Sequence, residues 1–346
     1  MPAPALTMQT TYAELVERCA TSAFNASFPA DGVFTSKTIK GRNYWYFQTP
    51  SSEGRTQKYV GPETPELLQQ IAQHKEARDD ERERRGLVST LVRSYGLARP
   101  LPEIGNVIAA LAKAGVFRLG GVLVGTVAYQ CYSAMLGTRL LSASLQTGDI
   151  DIAQFKHVSV AVDDRIPPVL DVLQQVDETF RPVPHLHKER HATSYQTKDK
   201  LRVDFLTPNE GSDTDTPQPL PALGTDAEPL RFLDFLIREP EPAVLLHDAG
   251  VYVLVPAPQR FAVHKLIISR RRKEGAAKRD KDTMQADALL EFLAAKRPHD
   301  LKSAWNEAND RGRKWHQLLS EGLDQLPDRT RDAIRNVVGS SAKAGT

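Results

Sequence analysis

Two aspartates separated by one apolar residue are the part of this sequence best suited to chemistry. They are Asp149 and Asp151, and isoleucines follow each of them. Because side chains alternate across a strand, a strand here would place both carboxylates on one face and both isoleucines in the core. A third carboxylate, Asp204, stands in a similar stretch at 201–206. Carboxylates on neighbouring strands can hold two Mg²⁺ ions, which serve phosphoryl-type transfer.

The segment before these aspartates favours a phosphate-binding turn. An apolar run at 117–124 predicts a buried strand, and Gly125-Thr126 follows it directly. Residues 127–136 then predict a buried helix. A glycine and a hydroxyl residue at a helix start leave backbone N–H groups free to bind phosphate. Gly120-Gly121 is a rival for this turn, but those glycines fall inside the predicted strand.

This order of strand, glycine–hydroxyl turn, helix and Asp-x-Asp resembles the signature of the DNA polymerase β-type nucleotidyltransferase superfamily. The resemblance implies that Gly125 and Thr126 bind the nucleotide triphosphate. It also implies that Asp149, Asp151 and Asp204 are catalytic and hold two Mg²⁺ or Mn²⁺ ions. The chain departs from the pattern in its threonine, where Gly or Ser is usual, and in a longer gap between the turn and the aspartates.

The resemblance continues into later segments of the chain. Residues 260–268 carry a His-Lys pair, residues 270–273 are basic, and a Lys-Asp pair follows at 281–282. This order resembles a bacterial family of nucleotidyltransferase-fold proteins. More distantly, it resembles nucleotidyltransferases of toxin–antitoxin and phage-defence systems. The match covers roughly residues 100 to 300.

Lys265 stands in an otherwise apolar stretch, which suits either snorkelling to solvent or contact with a buried anion. The resemblance favours contact with the triphosphate, and an internal ion pair with Asp282 is the alternative. Further candidates for acceptor or phosphate contacts are Arg270, Arg271 and Lys281.

An aromatic and basic segment near the N-terminus is a candidate nucleic-acid surface. Residues 38–61 predict a small antiparallel unit, with Tyr44-Trp45-Tyr46-Phe47 in one strand and 57–60 in the returning strand. Aromatic rings beside cations are suited to single-stranded nucleic acid. The alternative is a small sheet that packs its aromatic face on the next helix. The nearby basic residues are Lys40, Arg42, Arg55 and Lys58.

Length and local patterns predict an α+β fold in three parts. Residues 1–100 would form a small β/α unit, 101–257 a polymerase β-like nucleotidyltransferase core with a mixed sheet, and 258–346 a helical domain. The helices expected from spacing, proline and glycine are at 12–19, 65–85, 87–95, 102–114, 169–180 and beyond 258. Candidate strands are 230–237 and 251–255, and 209–229 is expected to be a loop.

Composition excludes several classes of protein. The 346 residues are 40% hydrophobic and 25% charged with a net charge of +2, which is not that of a global polycation. No apolar run is long enough to span a membrane, and no signal peptide is evident. The two cysteines, Cys19 and Cys131, do not suggest a disulfide framework. We therefore expect a cytoplasmic protein.

The sequence as a whole predicts transfer of a nucleoside monophosphate from an NTP to an acceptor hydroxyl. An RNA end, such as that of tRNA, is the leading acceptor, and small-molecule and protein hydroxyls are alternatives. A non-catalytic nucleotide-binding regulatory module is the alternative outside the enzymes, because fold alone does not imply activity. The spacing of His185, His187 and His191 is metal-like, although a loop with exposed imidazoles is the preferred interpretation.

Overall fold

The alternation of aspartate and isoleucine does form a strand, at the centre of a mixed sheet. The computed structural model describes residues 6–27, 33–39, 41–51, 54–73, 81–140, 148–161, 164–184, 192–272 and 275–339. Within these ranges helices and strands follow one another in an α+β architecture, as predicted.

The N-terminal region combines helices with a three-stranded antiparallel sheet. The helices are α1 (Leu6–Ser27), α2 (Pro65–Gln73) and α3 (Glu81–Arg93). The strands are β1 (Val33–Ile39), β2 (Arg42–Ser51) and β3 (Gly54–Pro62), in the order β1-β2-β3. The predicted antiparallel unit is therefore confirmed, and it starts one strand earlier than expected. Residues 74–80, part of the predicted helix at 65–85, lie outside the described ranges.

The central region is built on a mixed sheet with the strand order β4-β5-β8-β10-β9, to which β7 and β6 add beside β8. Strand β5 is antiparallel to β4 and parallel to β8. The strands are β4 (Val122–Val124), β5 (Asp149–Ala153), β6 (Arg181–Pro182), β7 (Ser194–Gln196), β8 (Arg202–Pro208), β9 (Gln218–Leu220) and β10 (Thr225–Leu230). The helices are α4 (Pro102–Ala114), α5 (Gly125–Met135), α6 (Lys156–Ala161), α7 (Val169–Gln174) and α8 (Leu233–Leu236). A separate hairpin follows, β11 (Glu241–Leu245) and β12 (Val251–Val255).

The C-terminal region is helical, as predicted, and shares its core with the sheet. Its helices are α9 (Pro258–Arg271), α10 (Ala276–Lys296), α11 (Pro298–Asp310), α12 (Arg313–Leu323) and α13 (Asp328–Gly339). One apolar cluster includes side chains from Ile104 in α4 to Ile334 in α13. Phe261 of α9 is fully buried, and its ring lies 5.0 Å from that of Tyr132 in α5. These contacts fix α9 against the helix that follows the glycine turn.

Two of the predicted elements are shorter than expected. The predicted strand at 117–124 is a strand only at 122–124, because the chain turns at 115–120 and Gly120 has a φ of 84°. Those turns still bury the apolar side chains that suggested a longer strand. The predicted helix at 169–180 ends at Gln174.

Two other predictions about the segment 209–237 were wrong. The expected loop at 209–229 contains β9 and β10, and β10 forms because its backbone pairs with β8. The expected strand at 230–237 instead contains the short helix α8. Phe232, Leu233, Phe235 and Leu236 are all buried, which is the spacing of a helix face rather than of a strand face. No helix in the described ranges is long and apolar enough to cross a bilayer.

Candidate active site

The three aspartates lie on one face of two adjacent parallel strands. Asp151 of β5 stands opposite Asp204 of β8, and Asp149 stands opposite Arg202. The isoleucines that alternate with the aspartates are fully buried. The carboxylates therefore face away from the sheet's buried side, as the alternation predicted.

Gly125 is the first residue of α5, and its backbone lies directly against the carboxylate of Asp151. It follows β4 without a linker and has a φ of 68°, in the region that glycine adopts most easily. A Cβ atom at this position would overlap Asp151 Oδ2. The next residue, Thr126, is buried. The rival turn lies elsewhere, because a Cβ on Gly120 would meet Val158 instead.

Two neighbouring side chains hold Asp204 in place. Arg202 Nε donates a hydrogen bond to Asp204 Oδ1 at 2.7 Å, and Ser194 Oγ donates to the same oxygen. Arg202 Nη2 also donates to Ser194 Oγ at 3.0 Å. The sequence reasoning missed both residues. Arg202 could have been found from its spacing of two from Asp204, whereas Ser194 is adjacent only because β7 pairs with β8.

The pKa of Asp151 is raised, chiefly because the carboxyl group is removed from solvent. Burial, followed by the charges of Asp204 and Asp149, raises its pKa to about 6, while Lys265 and Arg272 act in the opposite direction. The nearby cations therefore compensate only part of the cost of ionising a buried carboxylate. A bound cation would relieve the remainder.

Asp149, Asp151 and Asp204 form a row of carboxylates on the sheet, called the carboxylate row below. Their oxygen atoms fit a hard divalent cation. Oxygen donors are the ligands that Mg²⁺ prefers, and Mg²⁺ usually takes one or two carboxylates along with substrate phosphates. Among the described residues, no group of three or more His, Cys, Asp or Glu forms a ready-made metal cage. Asp204 is paired with Arg202. The fit thus rests on the donor type and on the unrelieved charge at Asp151.

A second cluster of charges faces the carboxylate row from helices α9 and α10. Asp282 is 3% exposed and accepts hydrogen bonds from Lys265 Nζ and from Arg272 Nε, each at 2.6 Å. Burial alone would raise the pKa of Asp282, but the charges and hydrogen bonds of these two cations hold it below its usual value. The ion pair that the sequence allowed for Lys265 is therefore present. Because one carboxylate is shared between two cations, the cluster keeps a positive excess.

A cleft of about 760 Å³ joins Asp151 to these cations, whereas Asp149 and Asp204 are not among its described lining residues. Gly125 and Asp151 line one part of it, and Lys265, Arg271 and Arg272 line another. This volume lies within the range of roughly 300–1,000 Å³ that is common for ligand sites. The cleft thus offers a helix N-terminus, carboxylates and cations to one ligand.

The remaining predicted contacts are distributed around this cleft. Arg271 lines it and lies over the ring of Phe232 at 5.0 Å, whereas Arg270 donates to Ser269 Oγ at 3.4 Å and is not among the described lining residues. Burial and the charge of Lys265 lower the pKa of Lys281, while Asp282 and Asp149 oppose that shift. Lys281 therefore lies within electrostatic range of Asp149. The histidines at 185, 187 and 191 lie outside the described ranges.

His264 is a further member of the cleft that the sequence reasoning did not single out as a site residue. Burial lowers its pKa from 6.5 to about 3, assisted by the charges of Lys265 and Arg272, whereas Asp282 opposes the shift. The imidazole is therefore neutral at physiological pH and adds no charge to the cation cluster.

Comparison with known proteins identifies the family of the chain. A family model described as a nucleotidyltransferase matches residues 102–310, which run from the first residue of α4 to the last of α11. The chain belongs to this nucleotidyltransferase family. It is therefore a transferase, and its family implies an NTP substrate. No curated protein and no solved structure matched the chain.

The contact between Gly125 and Asp151 predicts that this nucleotidyltransferase will not tolerate a methyl group here. Gly125→Ala adds both backbone strain and an overlap with the carboxylate, so we expect a loss of roughly 1–3 kcal/mol in unfolding free energy and a loss of nucleotide binding. Urea denaturation and calorimetry measure the two effects. Gly41→Ala is the matched control, because Gly41 has a φ of 76° and nothing within 4 Å of its Cβ position. Equal losses in both variants would show that backbone strain alone is responsible.

The shared carboxylate predicts separate effects of Lys265 on binding and stability. In Lys265→Ala, Asp282 keeps its bond to Arg272, so we expect a moderate loss of about 1–3 kcal/mol in unfolding free energy. If Lys265 also contacts the triphosphate, the apparent KM for NTP should rise roughly tenfold to a hundredfold. Steady-state kinetics and urea denaturation test this, with the exposed Lys296→Ala as the control. A lower stability with an unchanged KM would leave Lys265 a purely structural role.

The low pKa of His264 predicts acid sensitivity. The unfolded chain takes up a proton near pH 6.5, whereas the folded protein does not until about pH 3. Stability is therefore lost as the pH falls below about 6.5, by about 2 kcal/mol at pH 5 from this group. In His264→Gln this contribution is absent, so the difference in unfolding free energy between pH 7 and pH 5 should shrink by about that amount. The exposed His316→Gln serves as the control, and an equal change in both variants would contradict the assignment.

Proposed function

We propose that this nucleotidyltransferase transfers a nucleoside monophosphate from an NTP to a hydroxyl group at an RNA end, using two Mg²⁺ or Mn²⁺ ions. The observation that carries the proposal is the cleft in which Gly125, Asp151 and Lys265 meet. A helix N-terminus and a cation cluster suit a polyphosphate, and the adjacent carboxylates suit the metal ions that such a reaction uses. We further propose that the mixed-sheet core has a polymerase β-like fold.

The triphosphate would lie between the start of α5 and the cations of α9. Backbone N–H groups at Gly125 and Thr126 are suited to bind phosphate oxygens, because the first N–H groups of a helix have no intrahelical partner. Lys265 and Arg272, both lining the cleft, are suited to neutralise the leaving pyrophosphate. Asp282 keeps these two cations oriented.

The carboxylates would bind the metal ions and accept the proton of the acceptor hydroxyl. Asp149, Asp151 and Asp204 would hold the metal ions, which supply charge neutralisation and activate the hydroxyl when bound. The acceptor oxygen forms a bond to the α-phosphorus, the bond to the bridging oxygen breaks, and pyrophosphate leaves. We assign to Asp204 the role of receiving the hydroxyl proton, and its bonds to Arg202 and Ser194 would keep its carboxylate oriented.

The proposal also includes a division into domains, a biological role and a cellular location. The division into 1–100, 101–257 and 258–346 stays a prediction, although the last two parts share one apolar cluster. A role in a toxin–antitoxin or phage-defence system follows from the resemblance alone. A cytoplasmic location is proposed because the spacing of Cys19 and Cys131 does not suggest a disulfide framework.

The proposed reaction predicts metal-dependent labelling of RNA. Purified protein is incubated with each of the four α-labelled NTPs, total RNA and Mg²⁺ or Mn²⁺. We expect one NTP to label RNA, and Asp149→Asn/Asp151→Asn to lower the labelling by about a hundredfold or more, because metal ions contribute several kcal/mol to such reactions. Asp199→Asn, an exposed aspartate in a turn, is the matched control. Mg²⁺ should also raise the thermal midpoint of the wild type more than that of the double variant.

Other outcomes of the same assay would favour the alternatives. Label that appears in protein or in small molecules would replace RNA as the acceptor. Binding of NTP without metal dependence and without any label would favour a regulatory module. Equal labelling by the wild type and the double variant would contradict the roles of the aspartates.

A further inference from the structure

The N-terminal sheet, β1 to β3, lies outside the part of the chain that matches the nucleotidyltransferase family. Its register separates the side chains into two faces. Phe34 pairs with Phe47 on one face, whereas Thr35 pairs with Tyr46 and Lys37 with Tyr44 on the other. The face of Phe34 and Phe47 packs on α1, whereas the face of Tyr44 and Tyr46 carries cations.

The first face is packed against the rest of the protein. Phe47 is buried, its ring lies 4.8 Å from that of Phe34, and Phe34 stacks on Phe24 of α1 at 5.5 Å. Lys58 stands opposite Phe47 and lies within electrostatic range of Arg118. This face therefore packs on α1, the preceding helix, whereas the sequence predicted packing on the next helix. Lys58 belongs to the same face.

The second face carries tyrosines. Among the described residues, the ring and cation contacts of Tyr46 and Tyr59 are with other residues of the sheet. The rings of Tyr46 and Tyr59 meet edge to face at 5.7 Å. Lys37 Nζ lies 4.7 Å from the centre of the Tyr46 ring and donates to Gln57 Oε1 at 2.7 Å. Tyr44 lies one pleat along β2 from Tyr46, and all three tyrosines are half-buried. The face is an array of rings whose edges reach solvent.

The charge on this face is positive. Lys37 and Arg42 are exposed, and the register places both on the side of the tyrosines. Among the described positions of this face there is no carboxylate, since the other side chains there are those of Thr35, Ile39, Gln48, Gln57 and Pro62. Lys40 and the side chain of Arg55 lie outside the described part of the chain. Rings without nearby acidic groups suit an anionic ligand with flat surfaces.

The sheet is anchored to the catalytic core rather than attached by a linker alone. Arg118 Nη1 donates to the backbone oxygen of Tyr59 in β3 at 2.8 Å, and Arg118 Nη2 pairs with Asp164 at 2.8 Å. Arg118 belongs to the turns that lead into β4, the strand that ends at Gly125. A polymer held on this face therefore has a defined position relative to the active site.

We propose that this face binds single-stranded RNA, with bases stacked on Tyr44, Tyr46 and Tyr59 and phosphates contacted by Lys37 and Arg42. Stacking on aromatic rings beside cations is the usual basis of sequence-tolerant single-strand binding. The commitment to RNA rests on the proposed function, for which an RNA end is the acceptor. The face would hold the acceptor strand while its end enters the cleft.

The test uses the full chain with EDTA, so that catalysis does not contribute, and a fluorescent single-stranded oligoribonucleotide. Tyr44→Leu/Tyr46→Leu should weaken binding about tenfold or more, because base stacking is lost, whereas Tyr44→Phe/Tyr46→Phe should bind as the wild type does. Lys37→Gln/Arg42→Gln should weaken binding and reduce the salt slope by about 1.4, the value for two phosphate contacts on a single strand. The matched control is Lys296→Gln/Arg335→Gln, which removes two exposed cations from the C-terminal helices.

Folding of the variants is checked independently. Trp45 lies on the opposite face from the tyrosines and donates to Glu63 Oε2 at 2.9 Å. In a background that carries Trp305→Phe and Trp315→Phe, tryptophan fluorescence therefore reports on the sheet. If the leucine variant proves unfolded by this signal and by its thermal midpoint, the Lys37→Gln/Arg42→Gln variant decides the question.

Several results would overturn the inference. They are absence of RNA binding at low salt, equal or tighter binding of duplex RNA or of single-stranded DNA, and unchanged RNA binding by folded variants of this face. The labelling assay separates this inference from the proposed function. RNA labelling that the leucine variant retains in full would refute the sheet's role and leave the function standing. RNA binding that depends on the tyrosines, without any labelling of RNA, would support the sheet's role and refute the proposed function.

Discussion

The half-buried carboxylate of Asp151 is the constraint on which the rest of the site depends. It lies beside two other carboxylates on the sheet and against the backbone of Gly125, so its ionisation is costly. A charge in this position persists only if positive groups are supplied nearby. The fold supplies some of them from α9, and substrate-associated metal ions would supply the others. The glycine turn, the carboxylates and the cations are therefore parts of one electrostatic arrangement.

Helices α9 and α10 contribute charges to the candidate active site for the same reason. Phe261, fully buried against the tyrosines of α5, fixes the phase of α9, and His264 and Lys265 lie one turn further along. Asp282 of α10 then shares its two oxygens between Lys265 and Arg272. A buried carboxylate with two cationic partners orients both and leaves an excess of positive charge for an anionic ligand. The family match extends past the sheet to the last residue of α11 and therefore includes both of these helices.

The N-terminal sheet and the C-terminal helices are attached to the central sheet in different ways. The C-terminal helices share the apolar cluster of the catalytic sheet, so their position is determined by packing. The N-terminal sheet is joined to the catalytic core partly through polar contacts, of which the bond between Arg118 and the backbone of β3 is the clearest. The tyrosine face of this sheet has its described ring contacts within the sheet itself. The proposal that this face holds an acceptor strand is consistent with that difference.

The sequence by itself determined those elements whose signals are local. The alternation at 149–152 was sufficient for β5, and Pro102 with Gly115 was sufficient for the bounds of α4, because both signals lie within the element. The order of glycine turn and aspartates was likewise sufficient to indicate the family. Only the tertiary structure placed Ser194 beside Asp204, put a strand into the expected loop at 209–229, and gave Asp282 two partners. These features depend on pairing between residues distant in the chain, and the composition of either partner carries no signal for that pairing.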